Sequence, residues 1–163
     1  MREDSISQLP GSSSIADMYK GIYCLVLRNN LCTVEVGALG PLSFPRGWQV
    51  YTGSAQGPGG LSRVSRHIRV KRDGIRSPRW HIDYLLVHPA FKLVSVACAA
   101  TNNHGDECRV SRVLTVSPVP DFGCSDCSCI SHLGYFRTNP EKEIKSAFSR
   151  ADLHVTITTL NIS

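Results

Sequence analysis

Residues 47–72 read GWQVYTGSAQGPGGLSRVSRHIRVKR, and this stretch sets the architecture. Its first part, Gly47 to Gly53, is a strand in which period 2 puts Gln49 and Tyr51 on one face and Trp48 and Val50 on the other. The glycine-rich segment 54–60 breaks that pattern. Leu61, Val64 and Ile68 then follow at helical spacing, the apolar stripe of an amphipathic helix. Arg63 and His67 are four residues apart and share a face beside the stripe, with Arg66 close by.

Working outward, Gly21 to Leu27 (GIYCLVL) is a continuous apolar run suited to a central strand, and 31–36 (LCTVEV) alternates like a half-buried one. Arg28, Asn29 and Asn30 between them predict a hairpin joining the two. Residues 80–86 (WHIDYLL) predict a second helix ended by Pro89. Leu93 to Cys98 predicts a strand alternating on Val94, Val96 and Cys98. A short helix is expected over 107–116 with Val110, Val113 and Leu114 inward, another over 141–150, and an extended end over 155–160. The fold class is α/β of the α+β kind: a small mixed, mainly antiparallel sheet flanked by helices. The serine-rich residues 1–19 read as a flexible leader, 20–136 as the domain, and 137–163 as a C-terminal extension.

The chain of 163 residues carries a formal net charge of +5, with 42% hydrophobic and 19% charged residues, so it can bury one core and is not disordered overall. Charge is concentrated in 62–80. There Arg63, Arg66, Arg69, Lys71, Arg72, Arg76 and Arg79 face the single anion Asp73. Such a stripe is an electrostatic footprint for a polyanion, nucleic acid being the commonest; a solvated helix face is the alternative. No apolar run approaches the roughly eighteen residues of a membrane span, and no hydrophobic segment precedes a cleavage site, which favours a cytoplasmic protein without membrane partners.

Gly21-Ile22-Tyr23, then Tyr51-Thr52-Gly53-Ser54-Ala55, then Arg63-x-x-x-His67 resemble the three defining places of the GIY-YIG nuclease family. WHIDYLL and FGCSDCSCISHL resemble one poorly characterised subfamily, sometimes joined to DNA-repair domains. Tyr23 and Tyr51 stand 28 positions apart, more than is usual there, so the sheet is expected to hold an inserted strand between the tyrosine motifs. The resemblance implies a divalent-metal-dependent DNA endonuclease, with RNA as a further substrate and a homodimer or a DNA-repair protein as partner. Phosphodiester hydrolysis needs an activated water, charge stabilisation at phosphorus and help for the leaving oxygen. In that implied site Tyr23 and Tyr51 offer phenol oxygens, either one a base only if cations depress its pKa. Arg63 offers a planar fork for phosphate, His67 transfers protons near neutral pH, and His81 stands near the phosphate or packs beside Trp80. Arg66, Arg69, Lys71, Arg72, Arg76 and Arg79 grip the backbone. Glu107 holds Mg2+ or Mn2+, with Asp83 and Asp106 as rivals; its other reading is a carboxylate complementing a helix dipole.

Cys124-x2-Cys127-x-Cys129-x2-His132, inside the Cys/His-rich segment 122–133, has the donor density of a structural zinc site. Four ligands from so short a loop make a cramped tetrahedron, so Cys98 or Cys108 can replace one. The alternatives are a turn of buried thiols or a redox sensor. Two other functions stay open beside the nuclease: a nucleic-acid-binding module of the same fold without catalysis, and a zinc- or redox-dependent interaction protein.

Overall fold

A computed structural model describes residues 19–123 and 127–162. Strand β1 (Gly21–Asn29) lies at the centre of a five-stranded sheet, between β4 (Gly47–Ala55) and β5 (Phe91–Ala100); β6 (Leu133–Phe136) lies outside β4 and β7 (Thr156–Thr159) outside β5. Every pairing is antiparallel, which corrects the expected mixed sheet. The central position of β1 explains its continuous apolar run: both faces are covered, so alternation would expose nothing useful to water.

One face of β1, carrying Tyr23, Leu25 and Leu27, packs under helices α1 (Ser62–Asp73) and α2 (His81–Leu86), through Val64, Ile68, Ile82 and Leu85. The other face, carrying Ile22, Cys24 and Val26, packs under α3 (Asp106–Leu114) and α4 (Glu141–Arg150), through Val110, Leu114, Ile144 and Phe148. The molecule is therefore three layers with a core on each side of the sheet. Within 137–163, read as an extension, α4 roofs the second core and β7 pairs with Ser95–Cys98, so residues 141–159 belong to this arrangement.

The expected hairpin between 21–27 and 31–36 does not form. Asn29 pairs with Gly47, and the interval holds two strands, β2 (Cys32–Glu35) and β3 (Pro41–Phe44), which pair with one another in a separate sheet. Val34 and Phe44 reach the core beneath α2, and that burial outweighs the short-loop preference for pairing with β1. A second difference lies in β5. Val26 faces Ser95 while Leu27 faces Leu93, a bulge that skips Val94. Leu93, not Val94, thus shares the buried face of Val96 and Cys98. Helix α3 spans 106–114 instead of 107–116, with Val110 and Leu114 buried and Val113 packed beside them. No helix among the described residues is long and apolar enough to cross a membrane.

Candidate functional site

A cleft of about 580 Å3 opens at the end of the sheet where β1 begins, lined by Tyr23, Tyr51, Arg63, His81 and Glu107, together with Ser54, Gln56, Gly57, Arg79, Trp80, His104, Cys108, Gly123 and Cys127. Five separate elements meet there, which brings together residues 84 positions apart in the chain, from Tyr23 to Glu107.

The ladder sets the phenols. Tyr23 lies opposite Gly53, and a β-carbon on Gly53 would come within 2.4 Å of the Tyr23 ring, so the ring crosses the space that only a glycine leaves. The Tyr23 and Tyr51 ring centroids are 6.5 Å apart. Gly53→Ala is expected to cost about 1–3 kcal/mol by overpacking and to displace Tyr23; urea unfolding of the variant, compared with the parent, measures the loss.

Gly123 closes the other side. Its φ of +71° favours glycine, a β-carbon there would lie 2.8 Å from Tyr51, and its N–H donates to His81 Nδ1 at 2.9 Å. With Nδ1 accepting, neutral His81 carries its proton on Nε2. Burial lowers its pKa, against a smaller opposing pull from Asp121.

Helix α1 delivers Arg63, whose Nη1 donates to the Ser54 carbonyl at 2.7 Å and whose guanidinium lies 5.1 Å from the Trp80 ring centroid. Those contacts fix the fork at the cleft wall. Trp80 also carries Arg66 at 4.1 Å, a stacking role the sequence signalled only as an aromatic after a basic run. Gln56 and His104 are further lining residues that sequence reasoning passed over.

Two of the expected site residues, His67 and Tyr23, lie buried. His67 is fully buried and its Nε2 meets the Tyr23 hydroxyl at 2.8 Å. Burial, with Arg66 and Arg63 adding to it, lowers its pKa to about 3, so it stays neutral near pH 7 and holds Tyr23 instead of exchanging protons with a substrate. The Tyr23 phenol is raised well above 10, first by burial and next by Tyr51; the cation Arg63 opposes this without prevailing.

Among the described residues, Glu107 is the only carboxylate that lines the cleft. Asp83 receives both Arg66 nitrogens at 2.8 Å and the backbone N–H groups of Arg79 and Trp80, so it caps α2 and cannot serve the cleft. Asp106 accepts from the Thr101 hydroxyl at 2.7 Å and approaches Arg109. The basic stripe is likewise divided. Arg66 is committed to Asp83, Lys71 donates to the Phe91 carbonyl, and Arg72 pairs with its neighbour Asp73, whereas Arg69, Arg76 and Arg79 are exposed.

Beside Glu107, Cys108 and Cys127, which also line the cleft, join Cys129 and His132 in bringing one donor atom each within 4.8 Å of the others, a group that can coordinate a metal ion. Cys124 lies outside the described residues. Cys108, from α3, supplies the distant thiol that the loop spacing called for, while Cys98 is buried in the sheet among core residues. Burial and the neighbouring Cys129 and Cys127 thiols push Cys108 up to about 12, because several thiolates cannot coexist there without a cation. His132 Nε2 lies 3.5 Å from the Cys127 sulfur, and its Nδ1 lies 3.2 Å from the Glu107 carboxylate.

A family model described as "Domain of unknown function DUF123" matches residues 22–153, a span that holds the whole cleft and the thiol group. No curated protein and no solved structure matches the chain.

Proposed function

Because the chain belongs to the DUF123 family, whose description assigns no activity, we propose a function from the cleft itself: a nuclease of GIY-YIG type that hydrolyses phosphodiester bonds in DNA. The observation that carries this reading is the convergence of two phenols, a pinned guanidinium and one carboxylate on a single open cleft. A phosphate fits the Arg63 fork, because that planar donor pair matches two of its oxygens and never loses its charge. His81, donating from Nε2, and Tyr51 supply polar hydrogens near the same oxygens. Tyr23, whose phenol pKa is raised by burial, donates or relays a proton in this reading.

The donor set suits a hard divalent ion. Magnesium commonly takes only one or two carboxylates and completes its shell with water and phosphate oxygens, which a single Glu107 permits. Such an ion, when bound, supplies Lewis-acid stabilisation of the phosphate charge. Arg79 at the cleft and the exposed Arg69 and Arg76 add cationic surface that would hold the backbone of a duplex without reading its sequence. The thiol group, with four soft or borderline donors and no room left for water, is read as a structural zinc site.

The test is nicking of supercoiled and branched DNA with Mg2+ or Mn2+. Arg63→Ala and Glu107→Ala, each checked for retained fold, are expected to lower the rate at least a hundredfold, the scale for losing one transition-state charge contact. Absence of cleavage by the parent across substrates and both metals overturns the nuclease. A second reading, a metal-organised binding module without catalysis, is favoured by the placement of one Glu107 oxygen against His132. That reading expects DNA binding to survive in Glu107→Ala with no cleavage in the parent.

A further inference from the structure

We propose that one imidazole joins the two sites: His132 ligates zinc through Nε2 and, through Nδ1–H, orients Glu107, so that the ion fixes the carboxylate that faces the cleft. This deepens the zinc reading of Cys108, Cys127, Cys129 and His132 and rests on it.

The geometry of the group suits zinc. Thiolate sulfurs about 2.3 Å from a tetrahedral ion stand about 3.7 Å from one another. The four donors already lie within 4.8 Å, and the Cys127 to His132 separation of 3.5 Å approximates one edge of such a tetrahedron. The donors come from two independently anchored pieces of chain. Cys108 rides on α3. His132 is held by its own backbone, its N–H donating to the Phe122 carbonyl and its carbonyl accepting from Thr52 N–H, both at 2.9 Å. The site therefore ties α3 to the segment that precedes β6, next to the edge of β4.

The link to the cleft lies in the imidazole. With Nε2 turned to the thiols and the buried Nδ1 lying 3.2 Å from a Glu107 oxygen, metal ligation by Nε2 requires the proton on Nδ1, which places it beside the carboxylate that is there to accept it. A carboxylate behind a metal-bound histidine fixes its tautomer and makes it a better donor. The same contact holds one Glu107 oxygen and leaves the other for the cleft. Glu107 and Cys108 are adjacent on α3 and both line the cleft, so one short stretch of helix presents a carboxylate and a thiol side by side. Glu107 is thus a positioning residue for the zinc site.

The experiment measures zinc stoichiometry by mass spectrometry of the native protein, zinc affinity by competition with a chelating dye, and the absorption spectrum after cobalt substitution. The parent is expected to hold one zinc. Cys108→Ser is expected to abolish tight binding and to weaken the sulfur-to-cobalt charge-transfer band. Glu107→Ala is expected to lower zinc affinity about 10- to 100-fold, the usual effect of losing an outer-shell partner, while leaving the cobalt spectrum unchanged, since no ligand is lost. Circular dichroism of each variant with zinc in excess confirms the fold. Zinc bound by Glu107→Ala with parental affinity overturns the coupling and leaves the zinc site standing. A parent without zinc, or one that holds a disulfide among these thiols, overturns both, as does a site lost in Cys124→Ser but kept in Cys108→Ser. None of these readouts depends on DNA cleavage, so the nuclease reading stands or falls separately.

Discussion

Stability is expected to fall by on the order of 4 kcal/mol as the pH is lowered from about 6.5 toward 3, with His67 as the principal cause. The imidazole is fully buried, and burial together with Arg66 and Arg63 lowers its pKa from 6.5 to about 3. Below pH 6.5 the unfolded chain binds a proton that the folded chain refuses, so each pH unit favours unfolding by about 1.4 kcal/mol until the folded group also titrates. His81, whose pKa is also lowered, acts in the same direction. The His67 share is isolated by comparing urea midpoints of the parent and His67→Gln at pH 7, 6, 5 and 4. Gln can still meet the Tyr23 hydroxyl, and the variant is expected to flatten the profile. Equal slopes in the two proteins would refute the assignment.

Asp83→Ala is expected to destabilise the domain by about 3 kcal/mol, the scale for leaving one partner of a buried ion pair uncompensated. The carboxylate has no exposed surface, receives Arg66 bidentately at 2.8 Å, and accepts from the N–H groups of Arg79 and Trp80 at the start of α2. Its loss strands a guanidinium that is only 19% exposed and uncaps a helix of six residues. Burial tends to raise the Asp83 pKa, but the Arg66 fork and the two backbone donors hold it below 3.8. Its contribution is therefore complete above pH 3.8 and lost as the pH falls through the folded value, at the acid end of the His67 window. Urea denaturation of Asp83→Ala, Arg66→Ala and the double variant checks this. The double variant should recover part of the loss, because no buried charge is then left without its partner.

What the sequence disclosed was mostly what is local. The apolar stripe of α1, the start of β4 and the limits of α4 depend on neighbours a few residues away and stand where periodicity predicts them, whereas β4 runs on through Ser54 and Ala55, read as loop. Pairing was less legible. Tyr23 finds Gly53 across thirty positions, and the burial of Val34 and Phe44 that draws β2 toward β3 is invisible until α2 is in place. The same limit applies to the site. Tyr23, Tyr51, Arg63, His81 and Glu107 share the cleft, as the motifs suggest, but the fate of His67 depends on layers above and below it that one helix face cannot reveal. Asp83 and Arg66 are likewise diverted by an ion pair between two helices. Cys108 could be anticipated only as a thiol missing from a crowded loop, and its place beside Glu107 acquires meaning through the fold.

The separate β2–β3 hairpin bears on how fast this domain assembles. Because Asn29 and Gly47 occupy the same rung of the β1–β4 ladder, the chain leaves the sheet at residue 30 and returns after residue 46 to the place it left. Closing a loop costs about 0.6 kcal/mol more for each doubling of its length, so seventeen residues start roughly 2 kcal/mol behind a two-residue turn. Hairpins form in about 1–10 μs, and once β2 has met β3 the effective loop is only the few residues on either side. The excursion is thus able to shorten itself before the central ladder zips, which keeps the sheet's innermost pairing from waiting on its longest detour.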